Sequence, residues 1–191
     1  MRFVAITISI LFGLNTSAQD TTFTYSKNGF TDYVVSRVEG KSAVEIYTKT
    51  IEWITLNFKV TDKVIQGKIE NEFIRLEGGS KIISIYNTTT GGGAIYDALY
   101  QIEISIKDNR YKFDVVNIRT YIEPDQYVQV SGWQDVNFYL DQPSVIHKKN
   151  GLVKKKFQYI PKSFTSHFNS LNMSLKSYIL GNDTPSKKDD W

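Results

Sequence analysis

Apolar positions recur along the chain with two periods, and each period implies an element. Val44, Tyr47, Ile51, Ile54 and Phe58 are spaced 3, 4, 3 and 4 apart, which places all five on one side of a helix and leaves Lys49 and Glu52 toward water. Ser42 followed by Glu45 forms a capping box, so this helix is predicted to start at Ala43. Phe164, Phe168, Leu171, Leu175 and Ile179 repeat at 4, 3, 4 and 4 in a second helix, opened by Pro161 and closed by Gly181 as a left-handed cap. Between the helices, Tyr96, Ala98, Tyr100, Ile102, Ile104 and Ile106 alternate with polar partners such as Asp97, Gln101, Glu103 and Lys107, the period of a half-buried strand. Asp108-Asn109 turns the chain back as a hairpin. On the return strand Tyr111, Phe113 and Val115 change phase to Val116 and Ile118, as one inserted bulge residue would cause.

Shorter β-rich runs complete the pattern: Tyr33 to Val38, Lys63 to Ile69, Phe73 to Glu77 and Lys81 to Tyr86, with Gly78-Gly79 read as a turn. Further runs lie at Tyr127 to Val130 and Val136 to Leu140. Asn150-Gly151 then suits a hairpin with positive φ at both central positions. Residues 19–31, rich in Thr, Ser and Gly, read as a flexible lead-in, and residues 182–191 as a frayed tail. The fold class is α+β: a twisted antiparallel sheet with one long helix packed across it and a second, C-terminal helix. Neither a repeat nor a linker divides residues 32–181, which form one domain.

Composition narrows the class. The 191 residues are 41% hydrophobic and 23% charged with no Cys, which excludes a disordered chain, a collagen-like fibre, a disulfide scaffold and a Cys-ligated metal site. Arg2, the uncharged run Phe3 to Leu14 and the small residues Thr16-Ser17-Ala18 follow the plan of a secretory signal peptide over residues 1–18. Twelve residues reach about 18 Å as a helix, short of the roughly 30 Å hydrocarbon core, so no permanent membrane span is expected. Without Cys at the cleavage point there is no lipid anchor. The expected location is the periplasm or exterior of a Gram-negative bacterium.

The order of elements, with the helix segment carrying Trp53, Ile54 and Phe58 and the strand Ile106-Lys107-Asp108 turning into Arg110-Tyr111 and Phe113, resembles an exported bacterial domain-of-unknown-function family, four-four-six-eight. The likeness covers about residues 33–121. It implies a TATA-binding-protein-like fold and a cell-envelope setting, and it implies no reaction. Fold similarity to a DNA-binding protein does not imply DNA binding, and with export and no recognised reading motif no nucleic-acid partner is expected.

Charge is unevenly distributed. Residues 142–182 hold seven Lys (148, 149, 154, 155, 156, 162 and 176) and no Asp or Glu, whereas residues 19–141 hold 13 basic and 17 acidic residues. A basic hairpin with Lys148, Lys149, Lys154, Lys155 and Lys156, interleaved with Phe157 and Tyr159, suits an acidic envelope protein or an anionic envelope glycan. The plainer reading is a solvated edge whose lysines prevent strand-to-strand aggregation. Tyr47, Trp53 and Ile54 on the first helix are candidate walls of a cradle for an apolar ligand, with core packing as the simpler account of their spacing. Asn87 to Gly93 reads as a polar loop without the Lys-Ser/Thr of a phosphate loop. His147, on the hairpin, and His167, on the second helix, have no partner at ligand spacing, so no catalytic residue, metal or cofactor is assigned. Glu70 and Glu72 read as solvated carboxylates on a strand. The expectation is a non-catalytic binding or scaffolding module, with a small-ligand carrier second and an enzyme third.

Overall fold

The structure, a computed structural model, describes residues 21–26, 28–58, 61–86, 93–124, 131–136 and 143–182. A short hairpin, β1 (Tyr25–Ser26) and β2 (Gly29–Phe30), leads into β3 (Tyr33–Arg37) and α1 (Ala43–Asn57). There follow α2 (Thr61–Val64), β4 (Ile65–Ile69), β5 (Phe73–Tyr86), β6 (Gly93–Lys107) and β7 (Arg110–Ile122). The chain continues with β8 (Gly132–Asp135), α3 (Pro143–Ile146), a 3-10 turn Lys155–Phe157 and α4 (Tyr159–Leu180). The expected signal peptide, the runs at Tyr127 to Val130 and beyond Val136, the loop Asn87 to Gly92 and the tail from Asp183 lie outside the described residues.

The main sheet runs β3-β7-β6-β5-β4, wholly antiparallel. β3 pairs with Arg110 to Asp114 and β8 with Arg119 to Ile122, so the two share successive stretches of the β7 edge that β6 leaves free. Both long helices cover one face, which gives the α+β architecture with a C-terminal helix. The longer, α4, is the one laid along β5, and α1 packs against α4, β6 and β7.

Local chemistry starts α1 as its sequence predicts. Glu45 N–H donates to Ser42 Oγ at 3.3 Å, and the Glu45 carboxylate accepts from Ser42 N–H at 2.9 Å. These contacts hold the Glu45 carboxyl below the usual carboxylate range. The tip of the β6–β7 hairpin closes the same end: Ala43 N–H donates to Asp108 Oδ1 and Gly40 N–H to Asn109 Oδ1, each at 2.8 Å. The buried stripe is rotated from the predicted one. Ile46, Thr50, Trp53 and Ile54 face the core, Tyr47, Ile51 and Phe58 lie at its margin, and Val44 is 57% exposed. The helix meets α4 as well as the sheet, so its contact stripe turns toward both; Thr50 is tolerated there because its hydroxyl donates to Ile46 O at 2.7 Å.

Three other expectations are corrected. Gly78-Gly79 is not a turn, because β5 runs straight through it. A Cβ on Gly78 would stand 2.5 Å from the Tyr100 ring, so glycine is there to let a cross-strand aromatic lie over the backbone. Glu70 and Glu72 flank Asn71, whose φ is +61°, in the β4–β5 turn and not on a strand. The lead-in is ordered from Thr21. Phe23 is 2% exposed, stacks on Phe30 at 5.4 Å and is clasped by Asn169 of α4, which accepts from Phe23 N–H at 2.8 Å and donates to its carbonyl at 3.0 Å.

The predicted bulge is present: Ile102 pairs with Val115 and Gln101 with Asn117, leaving Val116 out of register. The covered face carries Ile74, Leu76, Tyr100, Ile102, Ile104, Tyr111 and Phe113 against Phe164, Phe168, Leu175 and Ile179 of α4. One polar node is sealed within it. Tyr111 Oη donates to Asn172 Oδ1 at 2.9 Å, and Asn172 Nδ2 donates to Ser36 Oγ at 2.9 Å. α4 ends at Gly181 with φ +79°, its N–H returning to Tyr178 O.

Candidate functional site

The basic segment folds as a pinned turn. Ile146 and Phe157 are buried, and the two limbs join through one bridge, His147 with Val153. Lys148 N–H donates to Leu152 O at 2.8 Å and Gly151 N–H to Lys148 O at 2.9 Å. Only Gly151 has positive φ, +80°, so the tip departs from the two-residue form expected for Asn-Gly; Asn150 instead uses its side chain, accepting from Leu152 N–H at 3.2 Å. Lys154 to Lys156 leave strand geometry for the 3-10 turn. Phe157 packs inward, so the aromatic contribution on the surface comes from Tyr159, 55% exposed at the first turn of α4.

The lysines differ in what holds them. Lys148, Lys149 and Lys155 are exposed. Lys154 Nζ donates to Ser144 O at 2.8 Å, which ties its charge to the turn. The side chain of Lys156 lies outside the described ones. His147 does not project into solvent: it is 7% exposed and stacks on Tyr25 at 5.6 Å. His167 meets the edge of Tyr100 at 5.1 Å, and burial holds its imidazole below the usual histidine range.

Trp53 and Ile54, the suggested cradle, are 1% and 0% exposed. The Trp53 indole N–H donates to Ser174 Oγ at 3.0 Å and its ring meets Phe58 edge-on at 5.9 Å, joining α1 to α4. Tyr47 packs partly buried at the core margin. Glu52 accepts from Tyr178 Oη at 3.0 Å and from Lys49 Nζ at 2.8 Å, and these donors hold its carboxyl below the usual range. Among the described residues no group of three His, Asp or Glu side chains is placed to hold a metal ion.

The uncovered face of the sheet escaped the sequence reading. Alternation aims Tyr33, Val35 and Arg37 of β3 away from the helices, together with Arg110, Lys112 and Asp114 of β7 and Glu103, Ser105 and Lys107 of β6. Register brings Lys107 opposite Arg110 and Arg110 opposite Arg37, a row of three cations across three strands beside the hairpin tip. The next row holds Ser105, Lys112 and Val35, and the one after it Glu103, Asp114 and Tyr33. Lys112 is paired with Asp114 at 2.9 Å and lies over the Tyr33 ring at 5.1 Å; Glu103 is paired with Arg75. Lys107 and Arg110 flank the Asp108-Asn109 turn and were within reach of a pairing argument. Arg37 joins them only through long-range register.

Comparisons with known proteins agree with this architecture. Residues 33–121 match the family model described as a domain of unknown function (DUF4468) with TBP-like fold. A DUF4468 family protein from Bacteroides ovatus, solved by crystallography, superposes with TM-score 0.56 at 13% identity, over 77% of this chain and 84% of that one. A TBP-like protein from Parabacteroides distasonis gives TM-score 0.53 at 14% identity, over 77% of this chain and 90% of that one. Comparison with curated proteins gives no match. Residues 33–121, from the first strand of the main sheet to the end of its central hairpin, are therefore similar to the DUF4468 domain and share its TBP-like fold.

Proposed function

We propose that this chain is an exported, non-catalytic binding module of the bacterial envelope that meets an anionic envelope protein or glycan through residues 148–159. The carrying observation is the exposure of Lys148, Lys149 and Lys155 around one pinned turn, beside Tyr159, in a stretch with seven Lys and no carboxylate. Burial of Ile146 and Phe157 fixes where the turn sits, so the charges are presented without ordering a loop on each encounter. Export is supported by the three-part plan of residues 1–18, and no helix of the described residues is long and apolar enough to cross a membrane.

Replacing Lys148, Lys149 and Lys155 together with Glu reverses the local field while sparing the Lys154 contact to Ser144. The variant should lose binding to an anionic envelope extract with its melting temperature unchanged, and the wild-type interaction should weaken steeply with salt. Undiminished binding by the variant overturns the proposed surface. Cell fractionation with N-terminal sequencing tests export: the mature chain is expected outside the cytoplasm, beginning at Gln19, and full-length protein in the cytoplasm overturns it.

A further inference from the structure

In the row Lys107, Arg110 and Arg37 on the uncovered face, Arg37 has a carboxylate partner in Glu39, and the charges of Lys107 and Arg110 are the ones no carboxylate among the described residues balances. Cations directly opposite one another on adjacent strands repel, and three of them lie side by side, about 10 Å end to end at ordinary strand spacing. The nearby carboxylates are committed elsewhere. Glu39 stands 3.7 Å from Arg37, Asp114 takes Lys112, and Asp108 accepts from the Ala43 N–H at the start of α1. Asp32 lines the adjoining depression with Arg37 and Arg110 but is not at ion-pair distance from Arg110. Among the described residues no carboxylate stands within ion-pair distance of Lys107 or Arg110, and both side chains are exposed.

Beside the row lies a depression of about 490 Å³, lined by Tyr33, Val35, Ser105, Lys107, Arg110 and Lys112. That volume falls in the roughly 300–1,000 Å³ range of small-molecule sites. Its walls divide by chemistry: Val35 and the Tyr33 ring offer apolar surface, Ser105 and Tyr33 offer hydroxyls, Lys112 crosses the middle paired with Asp114, and Lys107 and Arg110 stand at one end. The edge of β3 is also partly closed to an added strand, because Thr21 N–H donates to Val35 O and Thr21 Oγ1 accepts from Val35 N–H. A ligand would therefore lie on the face and not extend the sheet.

We propose that this depression binds a phosphate monoester carried on a sugar-sized body. The two cations without a carboxylate match the charge of about −1.5 to −2 that such a group carries at neutral pH. The Arg110 fork suits two phosphate oxygens, and Lys107 adds a point charge. The site is on the other side of the sheet from the helices and does not depend on the 148–159 turn.

Glucose 6-phosphate is the probe, followed by amide chemical shifts in 15N-labelled protein, with glucose and inorganic phosphate as companions. Expected are saturable shifts at the β6–β7 tip and β3 with glucose 6-phosphate, weaker ones with phosphate alone and none with glucose. The exposed double variant Lys107→Gln/Arg110→Gln should lower affinity at least about tenfold, in keeping with the loss of charge-assisted hydrogen bonds. Arg110→Lys should recover part of it, and Lys148→Gln/Lys149→Gln/Lys155→Gln should leave it unchanged. The proposal is overturned by shifts still unsaturated at about 20 mM probe. It is equally overturned by equal affinity in the double variant, by loss in the 148–155 variant instead, or by tighter binding of a hexaglutamate peptide at the same corner.

Discussion

The two faces of this sheet are built from the same strands and obey opposite rules. On β6, Ile102 and Ile104 are fully buried beneath the helices, while Gln101, Glu103 and Ser105, each one residue away, point to water. The covered face is mostly apolar, its polar members being the sealed Tyr111–Asn172–Ser36 node and the buried Thr120 opposite Ala98. The open face is mostly charged, and its ion pairs give way at the hairpin end to Lys107 and Arg110, which no carboxylate among the described residues balances. Cohesion and recognition are thereby separated by an offset of one residue, so a single-residue register slip would exchange them. The sharpest way to break the comparison is to truncate neighbours. Ile104→Ala should cost about 2–5 kcal/mol, through lost burial and the cavity left behind. Ser105→Ala should stay within about 0.5 kcal/mol. Urea midpoints at constant m-value measure both, and similar costs at the two positions would refute the division.

The adjacent glycines of β5 repeat the contrast on a smaller scale. Gly78 faces the core, where an added Cβ would lie 2.5 Å from the Tyr100 ring; Gly79 faces out, where its nearest neighbours would be at an ordinary 3.6 Å. Gly78→Ala should therefore destabilise by about 1–3 kcal/mol through overpacking against a ring that the core holds in place. Gly79→Ala should be neutral or raise stability by about 0.4–1 kcal/mol, because it restricts the unfolded chain at no steric cost. Thermal melts of the two variants, run in parallel, should move in opposite directions or differ by several degrees.

This pair also marks where sequence legibility ended. The helices, the Asp108-Asn109 hairpin and the Val116 bulge depend on contacts between near neighbours and on simple periods, and all three are present, although the buried stripe of α1 is rotated and α4 opens at Tyr159, ahead of Pro161. Gly78-Gly79 looked like a turn because the reason for glycine, the Tyr100 ring across the strand, lies 22 positions away in the chain. Phe23 looked unstructured for the same reason. Its clasp is Asn169, 146 residues distant, and no period in residues 19–31 records it. At the candidate surfaces, clustering of lysines in the sequence pointed to 148–156, but not to Phe157 and His147 turning inward. The cation row was invisible because Arg37 reaches Arg110 through strand pairing alone. Composition finds charge that is contiguous in sequence, and register assembles charge that is not.

The smallest predicted effect uses protons to separate the faces. His167 lies on α4 against Tyr100 and Phe168, with ring centroids 5.1 Å from each. Burial lowers its pKa and raises that of Tyr100 to about 12, so both rings are neutral in the folded protein near neutral pH. The unfolded chain protonates its histidine first, near pH 6.5. As pH falls from there toward the lower folded value, the unfolded state binds more protons and stability declines; it is fully present above the unfolded pKa. Glu45, at the solvent-exposed start of α1, also has a lowered pKa, but its contribution is present above the ordinary carboxylate value and fades only as pH falls through its folded one. The two windows open at different pH, the histidine's near 6.5 and the carboxylate's near the ordinary Glu value of about 4.3. His167→Gln should therefore flatten the decline in melting temperature between pH 7 and 5.5 and leave the acid limb intact, whereas Glu45→Gln should do the reverse. Parallel melting curves for wild type and His167→Gln across the upper window would show that the covered face does not exclude the proton as its packing implies.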